Sequence, residues 1–158
     1  MQGLLDKLAA KSPKLVEDLV PGKLPLGIVT RTLQGLLDDS VSIRDMRTIV
    51  ETLSEVSART QDPIQLTALI RPRLGRMIVQ SLVDDADTLN VMTLDPSLEQ
   101  LLHSVIQQSS NSQNVTMEPG LSERLFSALR DGTKKVEDQG QGAVLVVSPA
   151  IRPWLSKA

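Results

Sequence analysis

The chain has 158 residues, enough for one domain with a buried core, and its 41% hydrophobic and 23% charged residues are the balance of a soluble globular protein. A net charge of −2 with no run of Lys or Arg argues against a nucleic-acid-binding surface. No apolar run reaches the ~20 residues of a membrane helix, and without Cys there is no disulfide framework, which fits a reducing cytoplasm.

Phe126 and Trp154 are the only aromatic residues, so Leu, Ile, Val and Met must fill the core, as in helical bundles. The first four residues lack the charged and apolar regions of a signal peptide. The Asn114-Val115-Thr116 sequon is therefore read as incidental.

In chain order, Leu4, Leu5, Leu8 and Ala9 predict a short amphipathic helix. Ser12-Pro13 reads as a cap followed by proline at the first helical position, opening a helix that stops at Pro21-Gly22. A third helix follows Pro25 and buries Ile28, Val29, Leu33, Leu36 and Leu37. It should finish at Asp38-Asp39, where two carboxylates oppose the helix dipole.

Ser42 is then the expected cap of a central helix, with Asp45 three residues on as in a capping box. Ile43, Met46, Ile49, Val50, Leu53 and Val56 recur at helical spacing on one face. The opposite face carries Arg44, Asp45, Arg47, Thr48 and Glu51. Read alone, this is a solvated face with helical ion pairs or a contact surface, since Arg is common at such contacts.

Asp62-Pro63 opens a fifth helix through Leu66, Leu69, Ile70, Leu74, Met77, Ile78 and Leu82. Pro72 inside it requires either a kink near Ala68 to Arg71 or two helices, and the kink is preferred. After the acidic turn of Asp84, Asp85 and Asp87, residues Leu89, Val91, Thr93 and Leu94 suggest a strand. Asp95-Pro96 caps a helix using Leu98, Leu101, Leu102, Val105 and Ile106. Gln107 to Asn114 reads as a mobile loop, and a further helix from Pro119-Gly120 buries Leu121, Leu125, Phe126 and Leu129. Ala143 to Val147 reads as a buried strand, followed by a last helix from Pro149. Two strands joined by helices lie parallel and need further strands, so the chain reads as cut inside an α/β domain.

No chemistry stands out. His103 has no Cys and no second His for a zinc site, and no nucleophile-elbow motif accompanies it. Gly140-Gln141-Gly142 precedes a strand and is no dinucleotide fingerprint. The three aspartates lack calcium-loop spacing. No cofactor, metal site or catalytic residue is expected, and the chain reads as a non-enzyme.

The order of short strings is more specific. Pro13 to Pro21 (PKLVEDLVP), Val41 to Ile49 (VSIRDMRTI), Leu74-Gly75-Arg76, Glu118-Pro119-Gly120-Leu121, and Val144 to Val147 with Ile151-Arg152-Pro153 resemble the export-gate family of type III secretion, flagellar branch. The likeness spans nearly the whole chain. It implies a mixed α and α/β fold, with residues 1–85 as most of a helical, ring-forming subdomain. Residues 86–158 would be the first part of a final α/β subdomain, cut before its last strands.

The resemblance further implies a cytoplasmic docking and assembly domain whose full-length parent sits in the bacterial inner membrane. The implied partners are other copies of the chain in a ring, chaperone–substrate complexes and export ATPase components, with neither nucleic acid nor membrane contacted by this part. In that context Arg44, Asp45, Arg47 and Glu51 become candidate subunit-interface residues. Outside the resemblance, a substrate-binding or regulatory domain of an α/β enzyme and a helical adaptor stay open.

Overall fold

A computed structural model of the protein describes residues 2–83, 88–109 and 118–156. The chain forms two compact units, Met1–Asp84 and Asp85–Ala158. The expected turn at Asp84 to Asp87 and most of the Gln107 to Asn114 segment lie outside the described residues.

Among the described residues the first unit has six helices: α1 (Gln2–Lys11), α2 (Pro13–Leu19), α3 (Leu26–Asp38), α4 (Met46–Val56), α5 (Pro63–Arg73) and α6 (Gly75–Leu82). Its core is aliphatic, as the lack of aromatics requires. Leu33, Leu36, Ile49, Leu53, Leu66 and Ile70 are all fully buried where α3, α4 and α5 pack together. Leu19 and Leu24 close one side of that core, and α1 adds Leu5. α3 ends at Asp38, and Asp39 turns back to pair with Arg71 of α5, Nη1 to Oδ2 at 3.3 Å, with both side chains four-fifths buried.

Three local details differ from the sequence reading. α4 begins at Met46, and its cap is Asp45 rather than Ser42. Asp45 has the better geometry because both its oxygens find donors on Thr48, whereas Ser42 accepts only the backbone N–H of Arg44. At Pro72 the chain makes two helices, not one kinked helix, and the break falls two residues later at Leu74. Pro72 sits in the last turn of α5, where it cannot supply the N–H that would bond one turn back, and the helix ends one residue later; Leu74 serves as C-cap of α5 and N-cap of α6. Ser12 stands at the start of α2, but its hydroxyl makes no capping bond.

The second unit runs β1 (Met92–Thr93), α7 (Pro96–Ser109), α8 (Pro119–Glu137), β2 (Leu145–Val146) and α9 (Arg152–Leu155). The strands are parallel, in register Met92 with Leu145 and Thr93 with Val146. The fold is thus mixed helical with a small α/β part, as the order of elements implied. The Ala143 to Val147 stretch is not a buried strand: two residues pair, and Val146 is 50% exposed. Gln107 to Ser109 belong to α7 rather than to a loop, and the last helix starts at Arg152 after a turn at Pro149-Ala150. Leu102, Leu125 and Ile151 are the buried centre of this unit, with Leu98, Leu129 and Trp154 packed around them.

Candidate partner interface

The four residues singled out by the sequence do not form one continuous helical face. Arg44 precedes α4, Asp45 caps it, and Arg47 and Glu51 lie one turn apart along it. The approach to the helix is tightly held. Ser40 takes a left-handed conformation with φ 57°, which lets the Val41 N–H return to the Leu36 carbonyl at 2.8 Å. Val41 is buried and Ile43 packs half-buried on the core. The Ser42 hydroxyl accepts the Arg44 N–H at 3.3 Å, so the backbone of Arg44 is fixed while its side chain stays exposed.

The Thr48 N–H and hydroxyl donate to the two carboxylate oxygens of Asp45, at 3.1 and 2.6 Å. That carboxylate satisfies orphan donors at the positive end of the helix and is spent locally. Arg47 donates through Nε to Glu51 Oε1 at 2.9 Å in an exposed pair. The hydrogen bond to Glu51 and the charge of that carboxylate raise the Arg47 pKa above its ordinary value, with Asp45 adding a smaller push. Further along α4, Glu55 pairs with Arg73 of α5 through both carboxylate oxygens at 3.0 and 3.1 Å.

A polar cluster in the second unit escaped the sequence reading. The Ser148 N–H donates to Glu99 Oε1 at 2.8 Å, and Ser148 Oγ lies 3.1 Å from His103 Nε2. These groups line an open groove with Pro96, Gln100 and Ser104. Glu99 and His103 are four apart on α7, and that spacing, with Ser148 just after β2, was the available signal. The carboxylate holds the serine backbone rather than the imidazole, so the arrangement ties β2 to α7 and does not form a catalytic triad. Among the described residues no three His, Cys, Asp or Glu side chains are grouped to hold a metal ion.

Comparison with known proteins assigns the chain. Residues 1–158 match the FHIPEP family throughout. The chain belongs to the FHIPEP family. The match agrees with the export-apparatus resemblance of the sequence, and FHIPEP relatives include the flagellar biosynthesis protein FlhA of Escherichia coli K12, 44% identical over 156 residues. FlhA of Salmonella typhimurium is 42% identical over the same length. Each alignment covers 99% of this chain and 22% of the relative, so the chain spans about a fifth of the length of these FHIPEP proteins.

Two solved structures share the fold. Nonameric EPEC SctV-C is 29% identical with a TM-score of 0.84, covering 99% of this chain and 46% of that one. CdsV of Chlamydia pneumoniae, solved in complex with CdsO, is 25% identical with a TM-score of 0.85, covering 99% and 46%. These names denote biosynthesis proteins and assemblies and indicate no catalysed reaction. No described helix is long and apolar enough to cross a membrane.

Proposed function

We propose that this chain is a docking and assembly domain of a bacterial flagellar type III export gate, working in the cytoplasm as part of a longer protein held in the inner membrane. The observation that supports the reading is the likeness of this chain to one chain of the nonameric SctV-C structure, at a TM-score of 0.84, together with 44% identity to a flagellar FlhA. Residues 1–85 supply a helical, ring-forming part and residues 86–158 the start of a terminal α/β part. In the ring, chaperone-bound export substrates and components of the export ATPase are received. The CdsV–CdsO complex supports a second kind of protein docking on this fold. The chain contributes binding surface and no catalysis.

Within this reading, the segment of Arg44, Asp45, Arg47 and Glu51 lies at the contact between neighbouring copies. Asp45 and Glu51 shape the segment, and the arginines face outward. A guanidinium offers two parallel donors to a carboxylate, which suits a contact that must fix orientation. The test is Arg44→Glu with Arg47→Glu in the full-length parent, followed by melting temperature, ring formation by electron microscopy, and secretion. The reading expects a normally folded protein that assembles poorly and secretes less. Wild-type rings and wild-type secretion from a folded double variant would overturn the interface assignment. An unfolded double variant would overturn it too, by showing that the arginines serve the fold.

A further inference from the structure

The charge bookkeeping around α4 separates two arginines that the sequence treats alike, and it deepens the interface reading, on which it rests. We infer that Arg44 is the residue that binds across the subunit contact, to a carboxylate of a second copy of this chain, and that Arg47 is an internal partner of Glu51. Three observations support the division. Arg47 already donates to Glu51 at 2.9 Å, and both Asp45 oxygens are occupied by Thr48. Arg44 has no ion-pair partner among the described residues and its side chain is exposed. Its backbone is nevertheless fixed on both sides, by the Ser42 hydroxyl and by the cap at Asp45, beneath which Val41 and Met46 are buried.

An unpaired cation on a rigid mount suits intermolecular pairing. The backbone loses little freedom on contact, so more of the interaction appears as affinity. Arg47, by contrast, would have to break its bond to Glu51 before it could reach outward. The nearby Asp45 carboxylate steers the same way: it is held by Thr48 and does not compete for the Arg44 guanidinium.

Single charge changes in the full-length parent distinguish this inference from the broader reading. Arg44→Glu is expected to raise the concentration of half-assembly at least about tenfold, with Arg44→Gln smaller in the same direction. Arg47→Gln should leave assembly unchanged within about twofold, since it loses only an exposed internal pair. Melting temperatures of all three should match wild type, and the neutral Arg44→Gln serves if the reversal perturbs folding. Assembly lost in Arg47→Gln but kept in Arg44→Glu would overturn the inference while leaving this segment as the interface. Equal loss in both overturns the division of roles. Wild-type assembly in every variant overturns the inference and the interface assignment together.

Discussion

Gly35 is the place in the first unit where one added methyl group should be felt most. It lies in α3 against Thr67 of α5, and a Cβ at position 35 would sit 2.8 Å from the Thr67 hydroxyl and 3.5 Å from its methyl. Thr67 cannot move away freely. It is nine-tenths buried, and its hydroxyl donates to the Pro63 carbonyl at 2.8 Å and lies 3.3 Å from that of Thr32.

Overpacking such a site costs about 1–3 kcal/mol. Turning the hydroxyl away instead loses a hydrogen bond worth roughly 0.5–1.5 kcal/mol. Alanine returns about 0.8–1 kcal/mol of helix propensity over glycine. The balance for Gly35→Ala is therefore a loss of up to about 2 kcal/mol, in place of the gain of about 0.8–1 kcal/mol that an unobstructed helix position would show. For a unit of this size each kcal/mol lowers the melting temperature by about 4–8 °C. Thermal and urea unfolding followed by circular dichroism read this directly. Thr67→Ala removes the offending atoms, so Gly35→Ala should cost less in that background. A Gly35→Ala protein more stable than wild type by the full helix propensity, or an effect unchanged by Thr67→Ala, would refute the close-contact explanation.

Asp45→Ala should cost about 0.5–2 kcal/mol and Ser42→Ala clearly less, because the capping bonds belong to Asp45; chemical unfolding of both variants checks the order. The Asp95 carboxyl is held below its ordinary range by the Ser97 N–H, with the Ser97 side chain and Leu98 N–H assisting. A depressed folded-state pKa gives stability that is present above the unfolded value of about 3.9 and lost as pH falls through the lower folded value. Asp95→Ala should therefore melt below wild type at neutral pH, and the two curves should converge in strong acid. Hydrogen exchange should find the slowest amides on α3, α4 and α5, around the fully buried Leu33, Leu53 and Leu66. Those of α7 and α8, which close on the smaller centre of Leu102, Leu125 and Ile151, should exchange faster; equal protection would contradict the difference between the two cores.

Helical spacing of aliphatic side chains was enough to find α3, α4, α5 and α7, because one face of each is buried and period 3.6 is visible in the residues themselves. The caps at Asp62 and Asp95 were equally legible, since aspartate before proline has one good use. Ser42 misled because a serine three residues ahead of an aspartate matches a capping box, and only the returning Val41 shows that the chain is still turning there. The β2 stretch misled for the opposite reason: Ala143 to Val147 has a buried strand's composition, but pairing extends over two residues only. Of the candidate interface, the residue types and the one-turn spacing of Arg47 and Glu51 were readable. That Asp45 is taken up by Thr48 was not, because it depends on where α4 begins.

Leu74 joins α5 to α6 with a side chain buried to 2% exposure, and its backbone serves both helices: its N–H donates to the Ile70 and Arg71 carbonyls, and its carbonyl accepts the Ile78 N–H. The joint therefore behaves as a welded elbow rather than a hinge. Any tilt of α5 is handed to α6 at full angle, because neither a free dihedral nor an exposed linker stands between them to absorb it. The heading of α6, whose own residues Val79 and Leu82 are nearly half exposed, is thus set from inside the core, by Leu74 at the joint and by Met77 and Ile78 packed on the same core.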